Sequence, residues 1–225
     1  MGSVLIQEFT TKTPISLIGM EAGICWGANI EDQAKNYRRG LNCLESEHGR
    51  TFEFPDVYMI LDGYSARVIR EWYTHVGGAP TRLQASTRYI DYEHGFSYVT
   101  PPSISGNIDA LKVYDGIMTD IANALKKLDA MGIPREDSAL GLPLGMTTKI
   151  VCKHNLRNLI DMSHQRMCAR AYHEYRELFS DLCAALKEYS AEWVYLVDSY
   201  FIPKCKYTGF CKEKHTCGMT PRRNA

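Results

Sequence analysis

Charge of one sign is what this 225-residue chain lacks first: 26 Lys and Arg balance 26 Asp and Glu. No net field draws in long nucleic acids or anionic membranes, so phosphate-sized ligands in a local basic pocket suit it better than polymers. No apolar run approaches the ~20 residues needed to cross a bilayer. The start, Met1-Gly-Ser-Val-Leu-Ile, has no basic residue followed by a long apolar stretch, and Ile6 stands where a myristoylation signal needs Ser or Thr. A cytoplasmic location without membrane contact is the expectation. Internal repeats are absent, which excludes solenoids. So are Gly-x-Gly-x-x-Gly and Gly-Lys-Ser/Thr runs, which excludes the usual dinucleotide and triphosphate cradles.

What is present is an ordered globular composition, 45% hydrophobic and 23% charged, on a length that suits one sizeable core. The division expected is a catalytic domain over 1–202 and a Cys-rich tail over 203–225. Of the eight cysteines, Cys25, Cys43, Cys152, Cys168 and Cys183 sit in apolar or helical surroundings and read as small buried hydrophobes. Cys205, Cys211 and Cys217 cluster in the tail with His215. Three thiols and an imidazole suit tetrahedral zinc, although no Cys-x-x-Cys knuckle is present, and a basic tail with reduced thiols is the alternative.

Residues 14 to 20 form a short apolar run expected as a strand, and Asn29 to Glu45 has helical spacing. Val57 to Leu61 is a dense β-favouring run expected to end in a turn at Asp62-Gly63. A helix is expected from Ser65 to about Val76, and a longer one from Ile108 to Met131, capped by Asn107 and stopped by Gly132 and Pro134. Thr147 to Cys152 alternates as a strand does, and Asn155 opens a helical stretch reaching at least Lys187. Strands and helices intermix without the rhythm of a doubly wound sheet, so the fold class is α+β with a mixed or antiparallel sheet wrapped by long helices.

The densest polar cluster runs from Arg67 through Arg70, Glu71, Thr74 and His75, then Gly77-Gly78-Ala79-Pro80, to Gln84, Ser86, Arg88 and Tyr89. On a helix, Arg67 to His75 would present one polar face while Val68, Ile69, Trp72 and Val76 packed on the other. A loop with backbone donors, Ser86 and Arg88 suits a phosphate. On these residues alone, a solvated helix face followed by a turn is the simpler account. A second segment runs from Leu142-Pro143 through Asn155 and Arg157 to Arg166, and for Asn155 by itself a helix cap is the simpler account. Nine residues along a regular helix turn it by about 180°, so Arg157 and Arg166 face opposite sides while Asn155 and Arg166 nearly align. One helix would then serve two pockets.

Together these segments resemble the flavin-dependent thymidylate synthases, whose signature is Arg-His-Arg-x-x-Ser-x-Asn-Glu-x-Ser-x-Arg-Tyr. Ser86, Arg88 and Tyr89 match its second half, and His75 is what remains of its first triplet. Gln84 replaces the signature glutamate, and two extra residues enter the Gly-Gly-Ala-Pro stretch. His48-Gly-Arg-Thr-Phe-Glu53 is similar to the family's flavin-proximal segment, and Asn155, Arg157 and Arg166 reproduce the spacing of its Asn-x-Arg helix. Ala139 stands where the family often has a nucleotide-binding arginine. Arg50, Arg67, Arg82 and Arg135 offer replacement charge.

The resemblance implies reductive methylation of dUMP to dTMP with FAD as cofactor, and with NADPH and methylenetetrahydrofolate as co-substrates, in a homotetramer. FAD would be bound without a Rossmann motif. No cysteine nucleophile is implied, because electrostatic activation of the pyrimidine replaces covalent attack. By carry-over, His48, Glu53, His75, Asn155, Arg157 and Asp161 bind FAD. Arg70, Glu71, Gln84, Ser86, Arg88 and Arg166 bind the nucleotide, and Arg166 is catalytic. A carboxylate at Glu71, where the family tends to have glutamine, would accept from an exocyclic amine. Modification of another pyrimidine nucleotide such as dCMP is therefore one alternative, and a catalytically degenerate nucleotide-binding protein is another.

Overall fold

The computed structural model describes residues 2–92 and 94–223. Four strands, β1 (Ser3–Ile6), β2 (Asp56–Ser65), β3 (Thr81–Gln84) and β4 (Thr147–Asn155), form one antiparallel sheet in the order β1-β2-β4-β3. The helices are α1 (Pro14–Cys25), α2 (Gln33–Glu45), α3 (Ala66–Trp72), α4 (Pro102–Ser105), α5 (Ile108–Ala130), α6 (Arg135–Ser138), α7 (Leu156–Arg166), α8 (His173–Tyr189), α9 (Ala191–Tyr200) and α10 (Lys204–Thr208). A 3-10 turn spans Gly49–Glu53 and a second spans Ala139–Gly141. The α+β expectation holds. Among the described residues no helix is long and apolar enough to cross a membrane.

The chain folds into two compact units. One comprises residues 4–60, 75–82 and 151–225. Its core is built around Ile15, Ile18, Leu44, Met59, Leu159, Tyr175, Phe179, Trp193 and Phe201. Residues 14 to 20 belong here to a helix and not to a strand. Pro14 occupies the first turn, where its missing N–H costs nothing. Glu192 of α9 accepts the backbone N–H groups of Ile15 (2.6 Å) and Ser16 (3.0 Å), supplying the N-terminal cap that Thr13 does not. α1 packs on α2 through glycines: a Cβ on Gly19 would lie 1.8 Å from the Asn36 carbonyl oxygen, and one on Gly40 1.9 Å from that of Ile15. The apolar run is therefore a buried helix in close contact with its neighbour, a case that hydrophobicity alone does not separate from a strand.

The other unit comprises residues 1–3, 61–74 and 83–150. Asp62-Gly63 does not end a strand; Gly63 takes φ 77° inside β2, which continues to Ser65. Ser65 then accepts from the Val68 N–H (3.2 Å) and caps α3. α3 stops at Trp72, four residues short of the expected end, so Thr74 and His75 leave the helix and Val76 is 71% exposed instead of packed. α5 follows its periodicity closely, with Asn107 accepting from Asp109 and Ala110 N–H groups (3.1 Å each).

The helix opened by Asn155 also differs from expectation. α7 ends at Arg166 and α8 begins at His173. No glycine or proline lies between them to mark the break. Two of the five scattered cysteines depart from the buried reading, Cys25 being exposed and Cys168 half-buried.

Candidate functional site

α7 organises the site. Asn155 closes β4 and caps the helix, accepting from the Asn158 N–H (2.9 Å), while Leu156, Leu159, Ile160 and Met162 anchor its buried face. The amide nitrogen of Asn155 lies 3.5 Å from the Gly78 carbonyl oxygen. A Cβ on Gly78 would sit 2.3 Å from that nitrogen, and Gly78 has φ 72°, so glycine is required on both counts. The Gly77-Gly78 pair thus brings the segment after α3 onto the N-terminus of α7.

At the other end of α7, Arg166 Nε donates to His75 Nε2 at 2.9 Å. The guanidinium carbon lies 4.6 Å from the centroid of the fully buried Tyr175 ring, against which His75 packs edge-on at 6.2 Å. Burial pushes the His75 imidazole down to about 4, helped by the Arg166 and Arg82 charges. The ring is therefore neutral at pH 7 and accepts at Nε2, which leaves the proton on Nδ1. Arg82 holds the same residue by its backbone, donating Nη2 to the His75 carbonyl at 2.7 Å.

Arg157 faces away from this cluster, as the helical spacing requires. Its Nη1 pairs with Glu53 at 2.7 Å, and Arg50 pairs with the other Glu53 oxygen at 2.7 Å. The Arg157 hydrogen bond, with Arg50 adding to it, holds the Glu53 carboxyl below the usual range against the opposing effect of burial. His48 is exposed and lies edge-on to Trp26 at 6.3 Å, beside a cavity of about 420 Å³ that also includes Arg50. Asp161, Arg157 and His164 line a separate cavity of about 280 Å³.

Arg70, Glu71, Gln84, Ser86 and Arg88 belong to the other compact unit. Arg70 is exposed in the last turn of α3, and the Glu71 carbonyl accepts from the Thr74 hydroxyl at 2.7 Å. Gln84 donates to Thr148 Oγ1 (3.3 Å), and Ser86 Oγ accepts from the Arg88 N–H (3.3 Å). The Arg88 guanidinium is paired with Glu136 at 3.0 Å, and Arg135 with Asp91 at 2.7 Å. The turn is thus held by two ion pairs.

The expected zinc set is not assembled. Among the described residues no three His, Cys, Asp or Glu side chains are grouped to hold a metal. Cys211 is buried in a loop closed by its N–H to the Pro221 carbonyl (2.8 Å), whereas Cys217 and His215 are exposed. Of the two five-residue spacers, 206–210 begins within α10 and 212–216 lies in that loop, so neither folds the thiols onto one point.

Sequence reasoning missed His154. It is fully buried, its Nδ1 lies 2.5 Å from Asn158 Oδ1, and burial pushes it down to about 4. Because the amide oxygen only accepts, Nδ1 carries the proton. The available signal was its i, i+4 spacing to Asn158 across the β4–α7 junction.

A family model described as "Thymidylate synthase complementing protein" matches residues 5–190. The flavin-dependent thymidylate synthase of Geobacter sulfurreducens is 34% identical over 195 residues, covering 83% of this chain and 82% of that protein. The enzyme of the same description from Clostridium tetani is 26% identical over 239 residues, covering 96% and 92%. Among solved structures, that of thymidylate synthase X from Helicobacter pylori with FAD and dUMP superposes with a TM-score of 0.65 at 17% identity, over 84% of this chain and 95% of that one. This last likeness bears on the fold. The chain belongs to the flavin-dependent thymidylate synthase family.

Proposed function

We propose that the protein catalyses the flavin-dependent reductive methylation of dUMP to dTMP, with methylenetetrahydrofolate as one-carbon donor and NADPH as reductant. The observation that carries the reading is the Arg166–His75–Tyr175 cluster on the same side of α7 as Asn155. A guanidinium stays charged at any working pH, and here a neutral imidazole fixes its orientation while an aromatic face backs it. Such a preorganised cation stabilises negative charge that develops on a pyrimidine, without the attack of a cysteine.

FAD, when bound, supplies the redox chemistry of the methylation. The residues present fit it: Arg50 and Arg157 share the one carboxylate of Glu53, which leaves a net positive charge for a diphosphate, and Trp26, 57% exposed beside His48, offers an uncovered ring face. His48, Glu53, His75, Asn155, Arg157 and Asp161 form the flavin set in this reading, and Arg70, Glu71, Gln84, Ser86 and Arg88 join Arg166 on the nucleotide. The catalytic domain is 1–202. The matched residues 5–190 leave the tail 203–225 outside the family model.

A homotetramer with flavin contacted by more than one chain belongs to the same proposal. Arg157 and Arg166 face apart, and α5 leaves Ile108 (74%) and Val113 (64%) exposed, as is its C-cap Met131 (73%), apolar surface that another copy would cover. Reconstitution tests the function: the protein takes up FAD with a flavin absorbance spectrum, and dUMP together with methylenetetrahydrofolate drives oxidation of the reduced flavin. A protein that takes up no FAD, or one whose flavin responds to dCMP and not to dUMP, contradicts the proposal.

A further inference from the structure

His154, the last residue but one of β4, is fully buried and takes no part in the proposed function as stated so far. Burying an imidazole is costly unless its N–H finds a partner. Here Nδ1–H donates to Oδ1 of Asn158, in the first turn of α7, at 2.5 Å, and Asn158 is itself buried. Burial keeps the ring neutral against the opposing pull of that hydrogen bond, so the single proton is committed to Nδ1.

An amide accepts at one end and donates at the other. With Oδ1 of Asn158 taken by His154, its Nδ2 turns to the loop after α3, where a Cβ on Gly77 would lie 3.2 Å from it. Asn155 meets the next residue in the same way, its Nδ2 3.5 Å from the Gly78 carbonyl oxygen. Two amides at the start of α7 therefore seat two consecutive glycines. Arg82 holds the same loop at its beginning, through the His75 carbonyl at 2.7 Å. Val76, between His75 and Gly77, is 71% exposed and contributes little packing. The backbone seat thus fixes the point from which the His75 imidazole reaches Arg166 Nε at 2.9 Å.

We propose that His154 is a positioning residue for Arg166: through Asn158 it seats the Gly77-Gly78 loop, and so fixes the His75 imidazole that orients the guanidinium. The inference rests on the proposed role of Arg166. Fully buried, His154 acts only through these neighbours.

A double-mutant cycle, read as kcat for dTMP formation at equal FAD content, tests this. His154→Leu keeps most of the bulk of the ring and removes the donor, and should lower kcat about tenfold, the worth of one buried hydrogen bond. In a His75→Ala background the same substitution should add nothing, because the group through which it acts is gone. His154→Asn, whose amide nitrogen falls where Nδ1 does, should recover most of the loss. Nitrogen NMR of histidine-labelled protein gives a readout that needs no turnover. The His75 signals, identified by their absence from His75→Ala, should show an unprotonated, hydrogen-bonded Nε2 in the wild type and in His154→Asn, and a mixture of tautomers in His154→Leu. If His154→Leu does not fold, Asn158→Leu breaks the same bond from its other end and goes through the same cycle. Failure of both to fold would make the pair a matter of stability alone and overturn the inference. Additive losses in the cycle overturn it too, as do unchanged His75 signals in His154→Leu or a His154→Asn variant as slow as His154→Leu. A wild type that forms no dTMP, with its His75 signals as expected, overturns the functional reading alone.

Discussion

At the scale of single residues, the proposed function rests on Arg166. Loss of a preorganised donor of this kind typically costs on the order of a hundredfold to a thousandfold in turnover. Arg166→Ala should therefore lower kcat by about that factor in steady-state assays at saturating dUMP, compared at equal FAD occupancy because His75, its hydrogen-bond partner, is proposed for the flavin set. Arg166→Lys should fail nearly as badly, since a point charge does not reproduce the planar fork over Tyr175. His75 and His154, each pushed down to about 4 mainly by burial, make a second prediction. Between pH 6.5 and 4 the unfolded chain binds these protons and the folded chain does not, so their contribution to stability is full above pH 6.5 and is lost as the pH falls toward 4. The depressed carboxyls, Asp32 and Glu53, have ordinary values of 3.8 and 4.5, so the window from 6.5 to 4.5 belongs to the histidines. Denaturant midpoints should be flat from about pH 8 to 6.5 and decline below it. A flat profile down to about pH 5 would show that these imidazoles are not held neutral.

At the scale of elements, the junction of β4, α7 and the Gly77-Gly78 loop sets the geometry. Asn155→Ala removes both the α7 cap and the approach to Gly78, and a lost cap costs about 1 kcal/mol. Gly78→Ala should cost more, because its Cβ would meet the Asn155 amide and φ 72° is strained for alanine. Chemical denaturation of the two variants checks the order; a Gly78→Ala variant as stable as the wild type would mean the loop does not rest on α7. Legibility in the sequence follows locality. α5 is readable because Asn107, its apolar spacing and Gly132 all act within the element. α1 is not, because its cap comes from Glu192 and its glycines answer to α2, both distant in the chain. The helical spacing overextends α3 past Trp72, and the break after Arg166 has no local signal. At the site, the opposed faces of Arg157 and Arg166 follow from helical geometry, whereas the neutral state of His75 arises from burial that a sequence does not display.

At the scale of the whole molecule, a balanced net charge leaves recognition to local groups, and the cations are grouped accordingly around Arg166 and around Glu53. Exposed apolar side chains along α5 and the divergent arginines of α7 both argue for assembly. Light scattering of the purified protein should give the mass of a homotetramer of the 25.5 kDa chain, and Ile108→Glu together with Val113→Glu should dissociate it and weaken FAD binding. A monomer that binds FAD tightly would contradict the shared flavin site.

This chain is proposed to methylate dUMP by flavin chemistry with Arg166 as the cation at the base. Single-turnover conversion of labelled dUMP by the FAD-loaded protein, supplied with methylenetetrahydrofolate and NADPH, tests it most directly. The wild type should yield dTMP and Arg166→Ala almost none at equal flavin content. Equal dTMP from both proteins, or none from the FAD-loaded wild type, would contradict it.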